Sequence, residues 1–230
     1  MRWASPDNVA TVAGALHPLT YLLFLQNILK VPTSLFSHYM VSPTWSLAVE
    51  EQFYLVAPFV IRYLSVRRLT QVLVACVLGA PVLRYFAFSL LPNGAQTAYI
   101  LMPCRADALA MGMLAAVAWR TAAKDWLLRQ TILLKTMSGV LVVGALAMTK
   151  WMPGPRTALE AAVQYSWIAL LYTSILLTAL LDSRGLVARA SRWKFLRECG
   201  RVSYCFYSFI WVFSAFAIGY SSAPFPTLTT

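Results

Sequence analysis

Five ionisable residues sit where the sequence is otherwise apolar. Glu50 and Glu51 share one segment, Arg84 lies in the next, and Arg105 and Asp107 lie in the one after. A carboxylate whose neighbours tune its proton affinity can serve as a general base. A guanidinium can hold an anion or a developing oxyanion. Glu50, Glu51 and Arg105 are therefore candidates for acid–base and anion-binding roles, with bracing of the helices as the structural alternative. Imidazole is the usual base near neutral pH, and the sequence has two, His17 and His38. His38 lies in the link just before Thr44; the ordinary reading of each is a loop or helix-end histidine. Cys76, Cys104, Cys199 and Cys205 form no CxxC pair, so neither a disulfide nor a metal site is expected. There is no serine-nucleophile motif, phosphate loop or metal-ligand cluster.

Spacing sharpens the candidates. At about 100° per residue, Glu50 shares a helical face with Ser46 and Tyr54, while Glu51 points a quarter-turn away. Arg105 and Asp107 are two apart, so they face opposite ways and each must reach a neighbouring helix. The planar fork of an arginine suits a carboxylate and does not deprotonate to escape burial, so a Glu50–Arg105 contact is expected. Arg84 is read either as snorkelling from near a helix end or as facing a polar interior. Cys104, Ala108, Gly112 and Ala116 recur at steps of four, a stripe of small residues along which a second helix can approach closely.

The elements that must carry these residues are membrane helices. Hydrophobic residues make up 60% of the 230 and charged ones 12%, and the charges gather between the apolar runs. A spanning helix needs about 20 mostly apolar residues. Seven segments qualify, over about 9–29, 43–64, 69–91, 98–119, 132–152, 159–181 and 202–220. Pro32 and Pro43, Pro92-Asn93-Gly94 and Pro153-Gly154-Pro155 punctuate the links. The expected fold is an all-α polytopic transmembrane bundle of about seven spans. It forms one membrane domain over 1–230, ending in a short polar tail at 221–230. No cleavable signal peptide is evident at the start.

The net charge of +11 reads as topology. Arg2 and the links after the second, fourth and sixth spans hold fourteen of the nineteen Lys and Arg, against three in the alternate links. That asymmetry predicts a cytoplasmic N-terminus. No basic module stands outside the apolar runs, which excludes nucleic acid as a partner. The cluster from Arg184 to Arg201 can attract CoA phosphates, although topology and anionic lipid already account for it.

Three segments carry a family resemblance. Thr44-Trp45-Ser46-Leu47-Ala48-Val49-Glu50-Glu51-Gln52-Phe53-Tyr54, with Pro58, resembles the signature of acyltransferase-3 membrane proteins. Cys104-Arg105-Ala106-Asp107-Ala108 with Gly112 is similar to a second element of that family. Gly200, Ser203, Tyr204 and Tyr207 resemble a third. The likeness runs from about residue 20 to about 212. It implies an integral (inner or plasma) membrane enzyme that moves an acyl group to a hydroxyl of a carbohydrate or glycolipid. Acyl-CoA from the cytoplasmic side would be the donor substrate, and no bound cofactor is implied. Carried onto this sequence, the resemblance makes Glu50, Glu51 and Arg105 the catalytic candidates. Trp45, Tyr54, Asp107 and His38 become candidates for substrate contact. Two departures stand out. The family's first, His-bearing helix has no counterpart in residues 1–30, so its N-terminal helices are expected to be missing. The third element's His is Ile210 here. The alternatives are a truncated, non-catalytic homologue serving membrane assembly or binding, and a small transporter. A transporter would carry broken helices at matching places in two halves, which are not seen.

Overall fold

The computed structural model describes residues 18–29, 44–91, 93–151 and 154–203. Helix accounts for 87% of them, and none lies in a strand. In chain order the helices are α1 (Pro18–Leu22), α2 (Gln26–Leu29), α3 (Thr44–Tyr63), α4 (Val66–Leu90), α5 (Gly94–Ile100), α6 (Met102–Arg120), α7 (Ala123–Arg129), α8 (Thr131–Trp151), α9 (Ala158–Leu181) and α10 (Leu186–Ser191). Residues 194–203 are also helical. The fold is an all-α bundle of transmembrane type. Four stretches are long and apolar enough to cross a membrane: α4, α5 with α6, α8 and α9.

These four coincide with the third to sixth segments expected from hydropathy. The second segment is helical as α3, and its 20 residues are long enough to span. It carries Glu50, Glu51 and Arg62, however, and is not among the four. The first segment is described only from residue 18. There it is two short helices, because Phe24 adopts φ 55°, a left-handed conformation that ends α1. The seventh lies outside the described residues beyond 203, as does the tail at 221–230.

Local chemistry sets several helix ends. Thr157 caps α9 by accepting from the Glu160 N–H at 3.2 Å, and the Glu160 carboxylate accepts from the Arg156 N–H at 2.7 Å. Ser65 does the same for α4, accepting from the Arg68 N–H. Asn93 begins α5 in a left-handed conformation, φ 51°. The fourth expected segment is interrupted at Leu101, whose ψ of 133° is extended. Pro103 has no N–H to continue the ladder, and the residues before it are steered away from helix. The chain restarts at Met102, with the Cys104 N–H bonded to Leu101 O at 3.1 Å. Ile100 O is thereby freed for a tertiary partner.

Packing centres on α4 against α6, with α9 against both and α8 laid on α9. Leu69 and Leu73 of α4 bury against Ala110 of α6, and Ala87 of α4 against Ala98 and Cys104. The face α6 turns inward is Cys104, Asp107, Met111 and Ala115. This corrects the expected small-residue stripe: Cys104 is buried, but Ala108, Gly112 and Ala116 are exposed. The rotation of α6 follows Asp107, which has a charged partner to reach. Large apolar residues on the outward faces, such as Leu78, Val143 and Leu176, are exposed, as lipid-facing side chains must be.

On α8, Gly144 sits beneath Trp167 of α9, whose indole N–H donates to Leu141 O at 3.0 Å. A side chain at Gly144 meets that indole. Gly144→Leu is expected to cost about 1–3 kcal/mol in thermal unfolding in detergent, the usual penalty for overpacking. At the other end of the same helix pair, Lys135 Nζ lies 2.5 Å from the Asp182 carboxylate. The hydrogen bond from Lys135, with its charge, holds the Asp182 carboxyl below the usual carboxylate range. A depressed carboxylate stabilises the fold above its unfolded-state pKa, and that contribution fades as pH falls through the folded value. Asp182→Asn should therefore melt below the wild type near neutral pH and converge with it in acid, in melts followed from about pH 7 to about pH 3.

Candidate functional site

The centre of the bundle is held by one guanidinium. Arg84 of α4 is fully buried, and Asp107 of α6 is 1% exposed. Arg84 Nη1 donates to Asp107 Oδ1 at 3.1 Å and Nη2 to Oδ2 at 2.8 Å, a bidentate fork. The same guanidinium donates to the backbone carbonyls of Cys104 and, at 3.1 Å, Ala162, and to Ser166 Oγ. Ser166 Oγ donates in turn to Asp107 Oδ2 at 2.8 Å. Asp107 Oδ1 also takes the Ala108 N–H at 3.0 Å. The arrangement joins α4, α6 and α9 at one point. Of the two alternatives for Arg84, the polar interior holds and snorkelling does not.

Arg105, two residues from Asp107, leaves α6 on the other side. Its guanidinium carbon lies 4.9 Å from the ring centre of Tyr165, 5.4 Å from that of Tyr99 and 5.8 Å from that of Trp45. The rings adjoin one another: Trp45–Tyr99 at 4.4 Å and Tyr99–Tyr165 at 5.5 Å between centroids. Cation–π attraction to several faces stabilises a partly desolvated guanidinium. Tyr165 also lies 5.8 Å from the Arg84 guanidinium carbon, so one ring stands between the two arginines.

The expected Glu50–Arg105 contact does not form. Among the described residues the ion pairs are Arg84–Asp107, Lys135–Asp182 and Arg201–Glu198. Arg105 finds aromatic faces and Asp107 finds Arg84, so the carboxylate–arginine pairing exists but between other partners. Glu50 and Glu51 are half-buried on α3. Of the other candidates, Trp45 joins Arg105. Tyr54 is 52% exposed with its ring edge-on to Phe53. His38 and His17 lie outside the described residues.

A second polar cluster ties α3 to the break before α6. Gln52 and Asn27 exchange amide hydrogen bonds, Asn27 Nδ2 to Gln52 Oε1 at 3.3 Å and Gln52 Nε2 to Asn27 Oδ1 at 2.9 Å. Gln52 Nε2 also donates to Phe24 O at 2.7 Å, and Asn27 Nδ2 to the freed Ile100 O at 3.3 Å. The two backbone irregularities, at Phe24 and at Leu101, thus supply the carbonyls that these amides need. Sequence reasoning singled out neither Gln26 nor Asn27, and took Gln52 only as part of the motif at 44–54. It did not single out Tyr99, Tyr165 or Ser166, which look ordinary in a hydrophobic helix.

Removing one partner of a buried pair strands the other charge. Arg84→Met or Asp107→Leu should each lower stability by about 3–5 kcal/mol. The double variant Arg84→Met with Asp107→Leu should be less damaged than either single one, in thermal unfolding of detergent-purified protein. Losses that simply add would mean the two side chains act separately.

Compared with known proteins, the chain matches no family model, no curated protein and no solved structure.

Proposed function

We propose that the chain is a membrane-embedded acyltransferase of the acyltransferase-3 type. It would move an acyl group from acyl-CoA to a hydroxyl of a carbohydrate or glycolipid. The observation that supports this reading is the meeting of two distant motifs. Trp45, from the first segment of the resemblance, lies against Arg105, from the second. Gln52 of the first segment reaches through Asn27 to Ile100, at the break just before the second.

In this reading the acceptor hydroxyl attacks the thioester carbonyl, a C–O bond forms, and the C–S bond breaks. A base, Glu50 or Glu51, takes the hydroxyl proton, and CoA leaves as the thiol once it recovers a proton. Arg105, held on ring faces and not by a carboxylate, has charge available for the tetrahedral oxyanion. Asp107 has both oxygens engaged by Arg84, and Ser166 also donates to one of them, so it braces the site and does not bind substrate. The N-terminus is assigned to the cytoplasm of the plasma (inner) membrane, with α3 and the segments at 9–29 and 202–220 completing about seven spans.

Membranes carrying the chain should transfer label from radioactive acetyl-CoA to lipid-linked or polysaccharide material. Arg105→Gln and Glu50→Gln should each lower that transfer roughly 10²-fold or more at equal protein level. No transfer from the wild type, beside an active acyltransferase-3 protein in the same assay, would retire the reading.

A further inference from the structure

Away from the Arg84–Asp107 cluster, a cavity of about 560 Å³ opens between α8, α9 and α10. Lys135, Asp182 and Arg189 stand at its mouth, and Val142, Ile175 and Gly139 line the wall. Both walls grade the same way. Seven residues separate Lys135 from Val142 on α8 and Asp182 from Ile175 near α9, so each wall passes from ionic to apolar over roughly 10 Å. Lys135, Arg184, Arg189 and Arg192 place four cations in this region against the Asp182 carboxylate, which Lys135 already engages.

The hollow has a simple origin. A side-chain carbon added at Gly139 would meet no atom within 4 Å. The groove also faces outward, since only 6% of the apolar window of α8 is buried in the bundle. A polar, cationic mouth leading into an apolar trough that faces the bilayer suits an anionic amphiphile, and the surrounding membrane supplies one in quantity. We infer that this groove binds an anionic phospholipid of the surrounding membrane. Its phosphate sits at Lys135 and Arg189, and an acyl chain lies along Val142 and Ile175. The site is separate from Arg105 and does not depend on acyl transfer.

The test uses the full chain in lipid nanodiscs of phosphatidylcholine with increasing phosphatidylglycerol, read as the melting temperature. The wild type should gain several degrees as phosphatidylglycerol rises. Lys135→Gln with Arg189→Gln should lose most of that gain. Gly139→Leu fills the trough, keeps every charge and replaces a helix glycine, so it should fold as well as the wild type in pure phosphatidylcholine yet also lose the gain. If loss of the Asp182 partner unfolds the first variant, Gly139→Leu decides alone. An equal response to both lipids, or an undiminished gain in Gly139→Leu, would overturn the inference. So would a soluble glycerol phosphate that reproduces the gain, which would mean a bare anion site. Displacement of phosphatidylglycerol by a lower concentration of palmitoyl-CoA would overturn it too, by making the groove a donor site.

Discussion

The bundle turns on the fork between Arg84 and Asp107. A guanidinium in a membrane interior is costly unless its donors find acceptors, and a carboxylate is costly in the same way. Here the two neutralise each other, and the Nη1 and Nη2 groups also reach two backbone carbonyls and a serine hydroxyl on two helices, while Nε has no partner among the described residues. Because these bonds are directional, they fix more than proximity. They set the rotation of α6 about its axis and the height of α9 against α4. Apolar side chains in lipid give little of that specificity, since lipid tails satisfy them as well as other helices do.

The rotation has a second effect two residues away. With Asp107 committed to α4, Arg105 must emerge toward α3, α5 and α9. There Trp45, Tyr99 and Tyr165 receive it. The two arginines consequently have opposite characters. One is held by a carboxylate, two carbonyls and a serine hydroxyl, and the other lies against three ring faces. A carboxylate brace and an aromatic-held cation arise from one short stretch of α6.

Much of the fold was legible in the sequence. Hydropathy placed the four long apolar stretches, because a run of about 20 apolar residues has few other fates. The separate destinations of Arg105 and Asp107 were also legible, from a spacing of two on a helix. Their partners were not. Charge sign allows Glu50 for Arg105 and Arg84 for Asp107, but which of these pairs forms depends on which helix lies alongside, and nothing local gives that. The stripe at Cys104, Ala108, Gly112 and Ala116 misled for a related reason. Small residues permit close approach, but an ionic partner decides which face does the approaching. The break at Leu101 was masked by unbroken apolarity, although Pro103 was its signal.

The position of Arg84 along the chain has a consequence for biogenesis. The ribosome delivers this guanidinium 23 residues before the carboxylate that neutralises it, and 82 residues before the serine that completes its set. For that interval the nascent α4 carries an uncompensated charge in its last third. Pairing with Asp107 removes the cost of that charge, so the fork favours entry of α4 and α6 into lipid together. The residence of α4 in lipid thus depends energetically on a helix made after it.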